Sequence, residues 1–219
     1  MMISCLMILN CKKYTHKSQK QRDTWLKNIS MPWFHIIGNP DLETEFEEDK
    51  INKIIYVKCK DTYEALSDKT TLGLYAIFKI IPNVEYILKT DDDMEYCNFL
   101  QLKNLLLNIE KYDYGGEVAR ITGPYTSYHH YPNVEDEYKI PATMEIGTYC
   151  SGTFYFLSRR AALKVIDLKD RPKHIFEDYH VGSILMDSKN DMKLLSIPRR
   201  YIFSENNDFP MEYKGRRRI

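Results

Sequence analysis

Short apolar runs alternate with amphipathic segments along the first half of the chain. The apolar runs predict buried strands over residues 3–9, 33–38 and 53–58, and another that begins at Tyr86. Helices are predicted over residues 15–28, 63–81 and 99–109, where apolar side chains recur every three or four positions and Asn98 can cap the last helix. This alternation predicts an α/β fold with a mostly parallel central sheet and helices on both faces.

The second half of the chain has a different pattern. Residues 123–148 are rich in Tyr and His and predict a long ordered loop, which is typical of a binding segment. A strand over 149–158 and helices over 161–168 and 177–186 are predicted to follow. The loop aromatics are either a stacking surface for a sugar ring or ordinary surface residues; they are Tyr125, Tyr128, His129, His130, Tyr131 and Tyr138.

The strand that begins at Tyr86 leads into three consecutive carboxylates, Asp91, Asp92 and Asp93. Adjacent negative charges raise each other's pKa, so a hard divalent cation with oxygen ligands would stabilise them. The carboxyl ends of strands in an open α/β sheet are also where nucleotide ligands bind. The alternative is an acidic loop that caps the next helix and holds no ion. The chain lacks both glycine-rich phosphate-binding motifs, so a metal would have to replace their backbone amides.

Other features of the sequence limit the classes of function. The chain has 219 residues, of which 43% are hydrophobic, so one domain spanning 1–219 is expected. Its 31 basic and 31 acidic residues balance, which argues against nucleic acid as a partner. The five cysteines include no C-x-x-C pair, so we predict neither a disulfide framework nor a zinc site. The apolar N-terminal run is too short for a transmembrane segment.

Three further segments have structural interpretations. Glu177 and Asp178 begin a predicted helix, where acidic residues cap the helix or favour its dipole. His35 lies within an apolar run and is expected to be a satisfied core or edge histidine. Residues 41–49 contain six acids and are predicted to form a solvated loop.

Five fragments occur in an order that resembles glycosyltransferase family 31, the β-1,3-galactosyl- and N-acetylglucosaminyltransferases with a GT-A fold. They extend over residues 22–182. The fragments are R-D-T-W at 22–25, D-T-Y followed by L, K and T within 61–70, K-T-D-D-D at 89–93, Y-C-S-G-T-F-Y followed by S within 149–158, and E-D-Y-H-V-G at 177–182.

The resemblance implies a nucleotide-sugar-binding half over 1–122 and an acceptor and catalytic half over 123–219. Asp93 would bind Mn²⁺ or Mg²⁺, because in the family the last Asp of the triplet contacts the metal. Residues implied to bind the nucleotide sugar are Arg22, Asp61, Lys69, Asp91, Asp92 and Gly152. Asp178 would be the general base of an inverting transfer, with Glu177 as the second candidate for this role.

The implied activity is a metal-dependent transfer of a hexose from a UDP-sugar, UDP-galactose or UDP-N-acetylglucosamine, to a glycan or glycoprotein acceptor through a β-1,3 linkage. Two other classes use similar features: a metal-dependent phosphohydrolase or nuclease, and a catalytically silent carbohydrate-binding protein. Because the chain lacks the membrane anchor that is usual in the family, a cytoplasmic enzyme is expected.

Several positions depart from the family pattern. Ser18, with Lys17 beside it, occupies the place of an earlier Arg, and Tyr179 replaces the Val of E-D-V. No histidine follows His180, although the family often supplies a second metal ligand there. Either the metal affinity is weak, or Asn206, Asn207 or Asp208 substitutes for that ligand.

Overall fold

The computed structural model describes residues 2–187 and 191–206, and the elements below lie in those ranges. The helices are α1 (Thr15–Asp23), α2 (Leu66–Ile80), α3 (Phe99–Asn108), α4 (Arg159–Asp167) and α5 (Glu177–Leu185). The strands are β1 (Ser4–Leu9), β2 (Trp33–Gly38), β3 (Phe46–Asp49), β4 (Ile54–Val57), β5 (Tyr86–Asp91), β6 (Tyr96–Cys97), β7 (Tyr114–Ile121), β8 (Tyr125–Ser127), β9 (Ala142–Met144), β10 (Gly147–Ser158), β11 (Leu194–Ser196) and β12 (Phe203–Ser204).

The central sheet has eight strands in the order β11-β7-β10-β5-β1-β2-β4-β3. Strands β5, β1, β2 and β4 are parallel, as the sequence predicts. Strand β10 runs antiparallel between β5 and β7, and β3 is antiparallel to β4 at the edge. The carboxyl ends of β5, β1, β2 and β4 therefore lie at one edge of the sheet.

Strand β1 shows why an uninterrupted apolar run forms the middle of this sheet. All its residues are buried because helices cover both faces. Cys5, Met7 and Leu9 point into the hydrophobic core that α2, α4 and α5 also enter. Leu6 and Ile8 point into the opposite core, which includes side chains of α3. Alternate side chains thus pack on opposite faces of the sheet.

Two predicted loops contain strands, and the helix predicted over 15–28 is shorter, since α1 ends at Asp23 and Leu26–Asn28 forms a 3₁₀ turn. The acidic segment 41–49 is not entirely loop, since Phe46–Asp49 pairs as the edge strand β3. Its acidic side chains tolerate this position because an edge strand remains accessible to water. The predicted loop 123–148 contains the hairpin β8–β9 and two short 3₁₀ turns.

Strand β7 was missed because its start is rich in glycine rather than in strand-forming residues. A Cβ on Gly116 would lie 2.5 Å from the Phe154 carbonyl oxygen, and one on Gly115 would lie 2.5 Å from the Phe156 ring. Close approach to β10 therefore requires glycine at both positions. The predicted cap of α3 is confirmed, since the Asn98 side chain accepts a hydrogen bond from the Gln101 amide at 3.2 Å.

Candidate active site

The acidic triplet lies at the edge where the parallel strands end. Asp91 is the last residue of β5, and Asp92 and Asp93 occupy the following turn. The antiparallel register pairs Phe154 with Thr90, which brings Gly152 beside the end of β5. The first turn of α5, which carries Glu177 and Asp178, packs over this part of β10.

The Lys89 ammonium group joins the two acidic segments. This side chain is buried, with its Nζ 2.7 Å from Asp91 Oδ1 and 3.4 Å from Glu177 Oε2. It also donates a hydrogen bond to the Gly152 carbonyl. Burial alone would lower the pKa of Lys89, but Asp91 and Glu177 outweigh burial and raise it, so the ammonium stays charged.

Glu177 is enclosed by protein partners. Its carboxylate accepts hydrogen bonds from the Tyr155 hydroxyl and from Thr70 Oγ1, the latter at 3.1 Å, and its side chain is only 5% exposed. Burial raises the pKa of Glu177, whereas Lys89 lowers it. This carboxylate is therefore occupied in linking α2, β5 and β10 to α5, and it has little access to a substrate.

Asp178 is more accessible than Glu177 and is held by backbone amides. Its Oδ2 accepts from the Gly152 amide at 3.0 Å, and its Oδ1 accepts from the Tyr179 amide at 2.7 Å. Burial raises the pKa of Asp178 above its usual range. Phe176 rather than Asp178 is the N-cap of α5, so capping does not account for this carboxylate.

Asp92 and Asp93 face α1 across a cavity of about 220 Å³. Lys17 Nζ lies 3.2 Å from Asp92 Oδ1, and the cavity is also lined by His16, Lys20 and Glu95. Burial, together with repulsion from Asp91 and Asp92, raises the pKa of Asp93 to about 6. A cation bound at Asp93 would relieve this repulsion.

The donor chemistry of Asp93 fits a hard divalent cation. Among the described residues its carboxylate has no ion pair or hydrogen bond, and Mg²⁺-like ions commonly use one or two carboxylates together with water and substrate phosphates. No cluster of three or more His, Cys, Asp or Glu side chains in 2–187 and 191–206 is arranged to hold a metal. Asn206 is exposed, and Asn207 and Asp208 lie outside the described residues.

Asp61 and Lys69 are brought together, but they bind mainly to each other and to the backbone. Lys69 Nζ donates to Asp61 Oδ1 at 2.6 Å and to the Asn10 carbonyl at 2.8 Å, and Lys69 is fully buried. Asp61 also accepts from the Gly38 and Lys12 amides, at 3.0 and 2.6 Å. The pair thus connects the carboxyl ends of β1 and β2, and Lys69 is not one of the residues that line the cavity.

Arg22 lies apart from the acidic triplet. Its guanidinium donates to Gln19 Oε1 at 3.0 Å and to the Asn52 carbonyl at 3.5 Å, just before β4 begins. Lys17, one turn and a residue earlier on α1, is the basic side chain that reaches Asp92. The sequence signal for the role of Lys17 was the departure from the family pattern at this position, where Lys17 and Ser18 stand in place of an earlier Arg.

Comparison with known proteins identifies the family. The profile described as "Galactosyltransferase" matches residues 17–195, which is most of the chain. The chain belongs to the galactosyltransferase family. This confirms the resemblance to glycosyltransferase family 31 that the five fragments indicated.

Two curated members of the galactosyltransferase family illustrate the similarity. Beta-1,3-galactosyltransferase 5 of Mus musculus is 26% identical over 202 residues, covering 84% of this chain and 63% of its own length. UDP-GalNAc:beta-1,3-N-acetylgalactosaminyltransferase 1 of Rattus norvegicus is 30% identical over 167 residues, covering 70% of this chain and 46% of its own length. The chain therefore spans about half to two thirds of the length of these relatives.

Solved structures agree with the predicted fold class. A glycosyltransferase involved in the glycosylation of the major capsid of PBCV-1 has a TM-score of 0.52 at 12% identity, covering 91% of this chain and 82% of its own. The 4-diphosphocytidyl-2C-methyl-D-erythritol synthase of Anaerococcus prevotii has a TM-score of 0.54 at 12% identity, covering 94% and 92%. The GT-A-like α/β fold of this galactosyltransferase-family chain is thereby confirmed.

The expected cytoplasmic location is wrong. The relatives are Golgi-type glycosyltransferases, a group that is lumenal rather than cytoplasmic. The expectation relied on the lack of an anchor, which is weak ground in a chain that covers only part of its relatives. In the described part of the chain, each helix is too short or too polar to cross a bilayer.

Two charged residues of this site were missed from the sequence. Lys89 entered the sequence analysis only as part of the K-T-D-D-D fragment. Its position directly after the apolar residues of a predicted buried strand was the signal for a buried lysine with an acidic partner. Glu205 lies near enough to Asp93 to raise its pKa. No sequence motif marks Glu205, because β12 reaches the triplet only by pairing with β6.

Proposed function

We propose that this protein is an inverting, metal-dependent hexosyltransferase that moves a hexose from a UDP-sugar to an acceptor hydroxyl. The observation that carries the proposal is the convergence of the triplet and the E-D pair on Lys89 at the carboxyl edge of the sheet. Membership of the galactosyltransferase family and the β-1,3-glycosyltransferase relatives support the reaction class and a β-1,3 linkage.

Asp178 is the general base of the proposed reaction. It accepts the proton of the acceptor hydroxyl while that oxygen forms a bond to the anomeric carbon. The bond from the anomeric carbon to the diphosphate oxygen breaks, and UDP leaves with the electron pair. Hydrogen bonds from the Gly152 and Tyr179 amides orient the carboxylate, and its partial exposure leaves room for an acceptor.

Glu177 has a different role in this proposal. Its carboxylate is surrounded by Thr70, Tyr155 and Lys89, and it supports the position of α5 without contacting the acceptor. Burial and hydrogen bonds of this kind hold a catalytic neighbour in place. Asp178 is therefore preferred to Glu177 as the base.

The donor diphosphate is assigned to the cavity between α1 and the triplet. Asp93 would hold Mn²⁺ or Mg²⁺ there, and the ion would supply positive charge to the leaving diphosphate. Lys17 and Lys20 line the same cavity and add positive charge of their own. Asp91 and Asp92 keep their ion pairs with Lys89 and Lys17, which orders the turn that carries Asp93.

The acceptor is assigned to the opposite side of Asp178, near the hairpin β8–β9. Tyr125 and Tyr128 are more than half exposed there, so their rings are free to stack on a sugar, whereas His130 is fully buried. The Tyr179 hydroxyl accepts from the Glu145 amide at 2.8 Å and so connects the start of α5 to the segment after β9. A glycan or glycoprotein acceptor fits this aromatic surface.

The proposal is tested by incubating the protein with UDP-galactose or UDP-N-acetylglucosamine and Mn²⁺, and by measuring UDP release with and without a panel of glycan acceptors. We expect acceptor-dependent release with net inversion. Asp178→Asn should lower kcat by about 10²-fold or more, because an amide cannot take the proton. Its UDP affinity should match that of the wild type, whereas its melting temperature should fall slightly, because Asn can accept from only one of the two amides that bind Asp178.

The pH profile gives a second readout for Asp178. A base must be ionised, so kcat should fall as the pH decreases through the raised pKa of Asp178. Glu177→Gln is the matched control, since it removes the neighbouring carboxylate. Loss of turnover in Glu177→Gln with normal turnover in Asp178→Asn would assign the base to Glu177. Release of phosphate without an acceptor would instead identify a phosphohydrolase, and binding without turnover a carbohydrate-binding protein.

A further inference from the structure

The turn that carries Asp92 and Asp93 is clamped by a side chain of α1. Gln21 Nε2 donates to the Met94 carbonyl at 2.9 Å and lies 3.2 Å from the Asp91 carbonyl oxygen. These two carbonyls stand on either side of the Asp92–Asp93 pair. Gln21 is only 2% exposed, so water cannot replace its amide as the donor.

His35 fixes the orientation of this amide. Its Nε2 lies 3.0 Å from Gln21 Oε1. Because the Gln21 amide nitrogen donates to the two carbonyls, its oxygen must accept, and His35 Nε2 must therefore carry the proton. His35 Nδ1 is then the bare nitrogen, and it has no partner among the described residues. Burial, with a smaller contribution from Arg22, lowers the pKa of His35 to about 3, so the ring stays neutral.

Reversing the Gln21 amide would be costly. Its oxygen would then face the Asp91 and Met94 carbonyl oxygens, and its nitrogen would face His35 Nε2, which could accept only after the ring proton moved to Nδ1. Two further contacts hold the same turn: Trp25 Nε1 donates to the Met94 carbonyl at 3.0 Å, and the Met94 amide lies 3.4 Å from the Asp91 carbonyl. The turn is thus held from α1 and from Trp25, two residues after the end of α1.

We propose that Gln21 is a positioning residue for Asp93, and that His35 orients Gln21 by donating a proton from Nε2. The proposal rests on the proposed function, in which Asp93 holds a divalent cation against the donor diphosphate. Gln21 lies in the wall of the cavity assigned to the donor, but its amide group is engaged by the Asp91 and Met94 carbonyls and by His35. It acts by fixing the backbone on both sides of Asp92 and Asp93, so that the Asp93 carboxylate has one direction when the cation binds.

The test is a calorimetric titration of UDP into the protein with Mn²⁺ and with chelator. Gln21→Met keeps the volume and removes all polar atoms, and Gln21→Glu keeps an acceptor for His35 but removes the donor. We expect both variants to bind Mn²⁺–UDP about 10–100-fold more weakly, as is usual when an outer partner of a metal ligand is lost. UDP binding in chelator should be the same in both variants as in the wild type. His35→Phe should shift the affinity in the same direction by less.

Two control variants make the result specific. Asp93→Asn should abolish the effect of Mn²⁺ and sets the maximum loss. Ser158→Ala removes the cap of α4, where Ser158 Oγ accepts from the Ala161 amide at 3.2 Å. It should lower the melting temperature through the opposite edge of the sheet without changing UDP affinity.

The outcomes separate this proposal from the proposed function. If the wild type binds Mn²⁺–UDP tightly and the Gln21 variants bind it equally well, or no worse than Ser158→Ala, the positioning role is wrong and the proposed function stands. If UDP binding in the wild type is independent of Mn²⁺, both are wrong. If the Gln21 variants bind weakly and His35→Phe binds normally, the orienting role of His35 is wrong.

Discussion

Replacing Lys89 by Met should show how strongly the candidate site depends on one buried positive charge. The wild-type ammonium lies 2.7 Å from Asp91 Oδ1 and 3.4 Å from Glu177 Oε2, and its side chain is 2% exposed. Met fills a similar volume, so the main loss is the charge and not the packing. Breaking a buried ion pair by removing one partner costs about 3–5 kcal/mol, because the remaining charge is left without compensation.

This cost should be visible in the melting temperature. In a chain of this size, a loss of 3–5 kcal/mol corresponds to a decrease of roughly 6–20 °C in Tm. The loss should depend on pH. Without Lys89, the folded-state pKa of Glu177 rises further above its unfolded value. The penalty is therefore absent below the unfolded pKa, grows as the pH rises from the unfolded to the folded pKa, and is complete above the folded one.

The assay is urea unfolding of Lys89→Met at pH 5 and pH 8, with Glu177→Gln and the double variant beside it. We expect Lys89→Met to be closer to the wild type at pH 5 than at pH 8. The double variant should recover part of the loss, because it removes one of the uncompensated carboxylates. A loss below about 1 kcal/mol that is the same at both pH values would refute the reasoning, since it would mean that the charges are screened by water.

Two further predictions use matched pairs of variants. Lys17→Ala should weaken UDP binding, whereas Arg22→Ala should leave it unchanged, because Lys17 lines the cavity and Arg22 contacts Asn52; equal effects in calorimetry would contradict this assignment. Gly182→Ala should lower the free energy of unfolding, measured in urea, by about 1–3 kcal/mol or more, since the new Cβ would clash with Tyr149 Cβ. Gly152→Ala should lower it less, because the nearest atom to its new Cβ, Lys89 Nζ, is 3.5 Å away. The reverse order would be evidence against the packing of α5 on β10.

The parallel core of the sheet and the location of the triplet were predictable from the sequence. Strands β1, β2 and β4 and the first half of β5 are mostly apolar, and such runs form the middle of a parallel sheet that is buried on both faces. The position of Asp91 at the end of β5 follows from the same periodicity. The prediction that His35 is a core residue is confirmed by its burial, but the ring is only partly satisfied, because Nε2 contacts Gln21 while Nδ1 has no partner among the described residues.

The roles of individual charged residues were decided only by the tertiary structure. Lys69 and Arg22 match family positions. However, Lys69 donates its hydrogen bonds to Asp61 and Asn10, and Arg22 donates to Gln19 and Asn52. Asn10 and Asn52 are far from Lys69 and Arg22 in the sequence, and each contact depends on how a helix is rotated against the sheet. Spacing along the sequence does not encode that rotation.

At the contact between β10 and the start of α5, too, the tertiary structure decided roles that the sequence left equal. The sequence marked Glu177 and Asp178 as a pair with similar roles. Folding separates them, because successive helical residues point about 100° apart, which buries Glu177 against Thr70 and Tyr155 and turns Asp178 toward the Gly152 amide. Local pattern therefore determined which elements form and where the acidic residues lie along them. The packing of α1 and α5 against the ends of β5 and β10 determined which carboxylate is accessible, which is enclosed, and which basic side chain faces each of them.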